Sequence, residues 1–534
     1  MSIVHYLLST TPQWGHVKPL CIFATRIVQE RESVIVTLMV SPNHLDKAFS
    51  EVSTQFTGPS QNKAIDRIRI LSTFQDGDGP LPEIFARSTA AYEGYYRRLF
   101  EAKEVTCAVK GTVFESLPAP TAVILDLFCL AEFKIIQGIS GSSVPVVIWV
   151  SGGISTFIRF FGDESIGGLG EFETKAIAEA SRTGVPTVDV GVKILFEGEG
   201  KLLRIPGLPA MHDYEFCPQK PSVTHPVFVV LSSSAKYAYL PSWIGQYGLP
   251  TYDSPFCRLL KECQGIIAAT PYALEETSIN TAKSFWGEKK KEMYVVGPLL
   301  APEPDPTTSK SSGDIENFLA DKLQRFGEKS VLYISFGTAF WPMTPEYVEE
   351  VIDVLLEKQF PFIFSYASPV ATISGELASK VNSSGIGLLS KWTPQPYILS
   401  HPATGWFLSH GGNGSITESL SNAVPLICWP FNADQPAAAA HLSENLQVGF
   451  ELIEVRTGQS GLKPLHRTGR APKGTREAVG LEMREVVDKC RGSKGEELRK
   501  NAEAVKVQLL GAWTDDGVAA KNLRAFLDKY SGHN

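Results

Sequence analysis

Short apolar runs alternate with amphipathic stretches from the first residues of this chain. The run IVHYLLS at 3–9 precedes KPLCIFATRIVQE, in which Leu20, Phe23, Ala24, Ile27 and Val28 recur at the spacing of one helix face. VIVTLMVS, RIRILSTF, AVILDLF and PVVIWVS follow, each bounded by Gly, Pro, Ser or Asp. Strands that are apolar on consecutive positions suit a parallel sheet covered on both faces. A second series starts at SVLYISFG (330–337), runs through FPFIFSY, GIGLLS, TGWFLSH and PLICWPF, and ends in helices. Between the two series lies GPLLAPEPDPTTSKSSGD, whose Pro, Ser and Asp content reads as a linker.

The pattern predicts an α/β chain of two doubly wound halves. Ligands of such sheets bind beyond the carboxyl ends of the strands, so the residues directly after strands carry the information. Composition adds little and excludes much. With 534 residues, 43% hydrophobic and 20% charged, the chain can bury more than one core. A net charge of −7 gives a nucleic-acid partner no electrostatic support. The eight cysteines form no CxxC pair and no zinc spacing, so all are expected to be reduced, buried thiols of a cytoplasmic protein. MSIVHYLLSTTPQWGH has no basic start and only a short apolar run, unlike a signal peptide. The uncharged run from Ile135 to Ile158 is long enough to span a bilayer, but Gly, Ser, Gln and Pro145 break it. It reads as a buried strand flanked by loops, and no transmembrane segment is expected.

The stretch TGWFLSHGGNGSITE (404–418) sets His410, Gly412, Asn413, Gly414 and Ser415 where a strand gives way to a helix, whose pattern opens at Ser415. A helix N-terminus exposes unpaired N–H groups and about half a positive charge. Glycines ahead of it let an anion reach the backbone. A bare strand-to-helix turn without ligand would use the same glycines. A P-loop needs a lysine after its last glycine, and none is present. A dinucleotide fingerprint is met at Gly412 and Gly414 but not at Thr417, although Asp434 lies 20 residues past Gly414. A nicotinamide-dependent oxidoreductase is therefore the second reading.

The wider stretch WTPQPYILSHPATGWFLSHGGNGSITESLSNAVPLICWPFNADQ (392–435) resembles the donor-binding signature of UDP-dependent glycosyltransferases, including the plant secondary-product enzymes. That resemblance implies a GT-B fold, two Rossmann-like domains facing across a cleft. It places an acceptor-binding domain at 1–297, a linker at 298–313 and a UDP-sugar domain at 314–510. A C-terminal helix at 511–534 would pack back on the first domain. It also implies roles. Trp392 stacks on uracil, Gln395 helps hold the nucleoside, His410, Gly412 and Ser415 bind the diphosphate, Glu418 takes the ribose hydroxyls, and Asp434 and Gln435 take the sugar. Where the plant pattern has Trp-Asn-Ser, this chain has Asn413-Gly414-Ser415, which displaces the asparagine by one place. SFGT (335–338) resembles a second phosphate loop, with Thr338 as its hydroxyl.

In TTPQWGHVKPL, His16 stands between a strand and a helix, where this family carries its catalytic base, and Asp126 ends the strand ILD as its partner. A helix N-terminus disfavours imidazolium, which predicts a neutral ring able to accept a proton. The implied reaction is an inverting transfer of a hexose, glucose by virtue of Gln435, to a hydroxyl of a small apolar acceptor of phenolic, terpenoid or sterol type. The UDP-sugar is a co-substrate, and neither cofactor nor metal is expected. A non-catalytic nucleotide-sugar-binding protein is a third reading. The Asp76-x-Asp78 pair reads as loop, the aromatic runs AYEGYYRRLF and STFIRFF as core before pocket wall, and 456–476, with six Lys/Arg and no acid, as a mobile, solvated loop.

Overall fold

The first apolar series folds into a parallel sheet. The computed structural model describes residues 3–56, 62–79, 81–170, 172–219, 255–302, 313–338, 340–342, 344–368 and 371–532. In it β1 (Val4–Ser9), β2 (Val34–Met39), β3 (Ile68–Leu71), β4 (Ala122–Asp126), β5 (Val146–Val150), β6 (Gly265–Pro271) and β7 (Glu292–Gly297) lie in the order β7-β6-β5-β4-β1-β2-β3. The second series gives β8 (Val331–Ser335), β9 (Phe362–Ser365), β10 (Gly387–Ser390), β11 (Thr404–Ser409), β12 (Leu426–Cys428) and β13 (Gly449–Glu451), ordered β10-β9-β8-β11-β12-β13. Every pairing in both sheets is parallel. Central strands such as β1, β4 and β11 are buried at every position, which explains their unbroken apolar pattern.

Among the helices that bear on the cleft and its supporting core are α1 (Trp14–Glu30), α2 (Leu45–Thr54), α3 (Ile154–Phe161), α4 (Tyr272–Glu288), α5 (Asn413–Ser421) and α6 (Val518–Lys529). The run 135–158 is the end of a helix, then β5, then the start of α3. No helix among the described residues is long and apolar enough to cross a membrane. The aromatic runs are core: Tyr92, Tyr96 and Leu99 are buried, and Phe157 stacks on Trp286 with centroids 4.6 Å apart. Seven cysteines are free, and the side chain of Cys257 lies outside the described residues.

Of the linker expected at 298–313, residues 303–312 lie outside the described residues. The final helix, α6, inserts Leu523, Phe526 and Leu527 into the core of the first sheet. Tyr6 Oη donates to the Tyr530 carbonyl at 2.9 Å, and Tyr530 Oη donates to the Gln264 carbonyl at 3.0 Å.

The basic segment 456–476, expected as a mobile, solvated loop, is exposed over much of its length but departs from that expectation at its buried arginines. Arg456 and Arg467 are buried, not free to meet solvent or a membrane surface. Arg456 pairs with Glu451 at 2.7 Å, and Arg467 pairs with Glu215 at 2.9 Å and also with Glu451. Arg470 reaches Glu454 at 2.8 Å and Glu482 at 3.1 Å. The His466 N–H donates to Glu215 at 2.8 Å, so the segment straps the second half to the first. Its acids come from elsewhere in the chain, which is why its own composition looked solvated. Removing one partner of a buried pair strands the other charge. Arg467→Met should therefore destabilise the protein by about 3–5 kcal/mol in chemical denaturation. A loss below about 1 kcal/mol would return the segment to a solvated surface loop.

Candidate active site

Strand order reverses once in each sheet, between β1 and β4 in the first and between β8 and β11 in the second. Connections from adjacent strands diverge at such a point and leave a crevice. The sequence put its candidate residues at both. His16 lies in the first turn of α1, directly after β1, and Asp126 is the last residue of β4. Phe336, Gly337 and Thr338 follow β8, and His410 follows β11. Contacts between the halves set these crevices face to face. Asn413 Nδ2 donates to the Ser151 carbonyl at 2.9 Å, and the Gly153 N–H points at Asp434 Oδ2 at 3.4 Å.

In the first crevice His16 Nδ1 lies 2.7 Å from Asp126 Oδ2. Asp126 is 1% exposed and also accepts the Phe128 N–H at 3.0 Å, so its carboxylate is fixed in place. With the Nδ1 proton directed at Asp126, Nε2 carries the free lone pair. Burial works against charging the ring, but the Asp126 carboxylate, and more remotely Asp434, outweigh it and hold the His16 pKa above the ordinary imidazole value. The direction is opposite to the one a helix N-terminus favours: a carboxylate at hydrogen-bond distance acts more strongly than the helix end.

In the second crevice α5 opens at Asn413, two residues before Ser415, and no side chain caps it. Its first-turn N–H groups, those of Gly414 and Ser415 among them, have no side-chain acceptor there. The His410 ring is wedged between two glycines. A Cβ at Gly412 would lie 2.6 Å from its Nε2, and one at Gly337 would lie 3.0 Å from its Cε1. Gly337 also has φ +72, and Gly414 meets nothing within 4 Å, so 337 and 412 are the positions where bulk is forbidden. Burial lowers the His410 pKa to about 4, leaving a neutral ring that can donate one N–H.

Around this loop, Thr338 is exposed and Trp392 shows 64% of its surface. Gln395 Nε2 donates to Glu418 Oε2 at 2.7 Å while its Oε1 accepts from Tyr333 Oη at 3.3 Å. Burial pushes the Asp434 carboxyl up to about 6. Gln435 is buried, its Oε1 accepting from the Phe431 and Asn432 N–H groups at 2.9 and 3.4 Å. The structure thus groups His16 with Asp126, sets His410 against Gly337 and Gly412, and joins Gln395 to Glu418 on α5, while Thr338 and Trp392 stand exposed.

Three residues at the cleft had no signal in the sequence. Ser151 Oγ lies 2.9 Å from His16 Nδ1, so Ser151 touches the histidine through its side chain and the glycine-rich loop through its carbonyl. Glu275, at a kink in α4, accepts from the Ile154 N–H at 2.6 Å, the Ser155 N–H at 3.1 Å and the Ser155 hydroxyl, capping α3 beside Asp434. Lys18 reaches across to Glu418 Oε1 at 2.5 Å. Near the ends of β1 to β3, a cavity of about 20 Å³ is lined by Ser9, Thr73, Tyr92 and Glu132, a hydroxyl-rich wall. The Asp76–Asp78 pair is a loop turn: Asp76 binds Arg87 and accepts the Asp78 N–H at 2.9 Å.

The family model for UDP-glucoronosyl and UDP-glucosyl transferase matches residues 306–457. UDP-glycosyltransferase eriJ of Hericium erinaceus is 31% identical over 549 residues, spanning 99% of each chain. The chain belongs to the UDP-glycosyltransferase family. The oxidoreductase and non-catalytic readings therefore give way to a UDP-sugar glycosyltransferase. Solved structures carry the same GT-B fold. A transferase of Siraitia grosvenorii in complex with UDP superposes at a TM-score of 0.66, with 19% identity, over 99% of this chain and 100% of that one. Medicago truncatula UGT71G1 complexed with UDP-glucose gives 0.66 at 18% identity, over 99% and 98%.

The geometry of this UDP-glycosyltransferase predicts a measurable titration. His16 should titrate above the ordinary imidazole pKa of about 6.5, and Asp126→Asn should move it down, because the charge that favours imidazolium is gone. Carbon-13 histidine resonances followed from pH 5 to 9 read both values. An unchanged His16 pKa in Asp126→Asn would break the coupling.

Proposed function

We propose that this UDP-glycosyltransferase moves glucose from UDP-glucose to a hydroxyl of a small acceptor with inversion at the anomeric carbon. The observation that carries the reading is the 2.7 Å contact of His16 with Asp126 in a crevice facing the uncapped start of α5. His16 Nε2 takes the proton of the acceptor hydroxyl as its oxygen attacks the anomeric carbon. The bond from that carbon to the UDP oxygen breaks on the opposite face. Asp126 orients the ring and stabilises the imidazolium that forms. The departing diphosphate takes hydrogen bonds from the first turn of α5, from His410 and from Thr338 and Ser415, in place of a metal. No cofactor enters this scheme.

Trp392 offers an indole face to uracil, a contact worth roughly 1–3 kcal/mol. Gln395 and Glu418 hold the nucleoside, while Asp434 and Gln435 meet the sugar hydroxyls. Asn413 ties the halves together through Ser151. The acceptor on this reading is a small hydroxylated molecule of phenolic, terpenoid or sterol type. Phytolacca americana UGT2, solved with UDP-2fluoro-glucose and pterostilbene, supports that class. A cytoplasmic location fits the free thiols.

Release of UDP from UDP-glucose, assayed with a panel of phenols, terpenols and sterols, tests the function. His16→Ala should lower turnover by about 10²–10⁴-fold while UDP still binds. Asp126→Asn should act in the same direction and less. Near-normal turnover of His16→Ala with an unactivated alcohol would refute the mechanism.

Donor choice has its own test. Glucose and galactose differ only in the direction of one hydroxyl, and a buried polar group left unpaired costs roughly 1–3 kcal/mol. Competition between UDP-glucose and UDP-galactose at equal concentration should favour glucose by about tenfold to hundredfold. Equal use of both would remove Gln435 from that role and leave the transferase reading standing.

A further inference from the structure

Lys18 and Glu418 are 400 residues apart in the chain and belong to opposite halves, yet Lys18 Nζ lies 2.5 Å from Glu418 Oε1. Both side chains are mostly buried, at 21% and 15% exposure. The other oxygen, Oε2, takes the Gln395 amide at 2.7 Å, and Gln395 is held in turn by Tyr333, whose hydroxyl lies 2.8 Å from Thr393. The carboxylate is therefore fixed from both sides of the cleft. Glu51 on α2 is a second acid facing Lys18.

An ionised carboxylate has about four acceptor positions, and an ammonium has three donors and no acceptor. Lys18 and Gln395 use one position on each Glu418 oxygen, so each oxygen can still accept one more hydrogen bond. Lys18 spends one donor on Glu418 and keeps the others. A vicinal diol fits this remainder. Each hydroxyl donates its proton to one Glu418 oxygen, and the hydroxyl oxygens accept from Lys18.

We propose that Lys18 is a ribose-reading residue lent to the nucleotide site by the acceptor half, forming with Glu418 a donor–acceptor pair for the 2′,3′-diol of the UDP-sugar. This rests on the assignment of the cleft to a UDP-sugar with its ribose at Glu418. The pair selects ribose over 2′-deoxyribose, since a missing 2′-hydroxyl leaves both a Lys18 donor and a Glu418 acceptor unmatched. It also makes nucleotide binding a task of both halves, because the carboxylate comes from α5 and the ammonium from α1.

Calorimetry of the full chain with UDP and with 2′-deoxy-UDP tests the assignment. The wild type should bind UDP more tightly than its deoxy analogue by at least about tenfold. Lys18→Met, which keeps the length of the side chain without its donors, should weaken UDP by about tenfold and leave the deoxy analogue nearly unchanged. Lys18→Arg, which keeps charge and donors, should retain the preference. If Lys18→Met weakens both nucleotides alike, Lys18 is only a tie between the halves and the proposal fails. If Lys18→Met binds UDP more tightly, Lys18 competes with the ribose and the proposal fails in the opposite sense. A wild type that binds UDP with no preference over the deoxy form overturns the reading of the 2′-hydroxyl by Lys18 and Glu418 and leaves the cleft standing as a UDP site. One that binds no UDP overturns the underlying assignment of the cleft as well.

Discussion

The reversal of strand order beside β1, and again beside β8, determines where everything else sits. At every other place along a parallel sheet, neighbouring connections close over the strand ends. At a reversal they part, and side chains just past the strands can converge on something other than protein. His16 with Asp126 occupies one such opening, and Gly337 with His410 and the start of α5 occupies the other. Because the openings face each other, a group held in one is presented to the other without a flexible arm.

The cost of this arrangement is electrostatic. Carboxylates gather at the cleft out of water, and an unpaired buried charge is not tolerated. Each acid has a specific answer. Asp126 has His16 and a backbone N–H, Glu275 has the first turn of α3, and Glu418 has Lys18 and Gln395. Asp434 meets the Gly153 N–H at 3.4 Å, and its burial pushes it up to about 6.

Much of this was legible in the letters. The buried strands announce themselves because both faces are covered, so β1 to β5, β8, β9, β11 and β12 stand out as apolar runs, as does the half-buried β10. β13, GFE, offers a single large apolar side chain and ends on a charge, unlike the equally short LIC of β12, and β6 and β7, GIIAATP and EMYVVG, lie close to the charged and Pro-rich stretches that obscured them. The glycine-rich junction was readable because its geometry is local. Ser151, Glu275 and Lys18 were not, since each acts on a group more than a hundred residues away. The segment 456–476 misled for the same reason: its counter-charges, Glu215 and Glu482 among them, lie outside it.

The last helix has a consequence for how the molecule comes into being. Phe526 and Leu527 complete the core built around β1, and Tyr530 closes onto Tyr6. On the ribosome, the half made first must wait with that surface uncovered while the entire second half is synthesised. Loss of α6 would leave the N-terminal sheet, not the C-terminal one, unfinished. Exchanging halves between relatives would likewise require the tail to travel with the beginning of the chain.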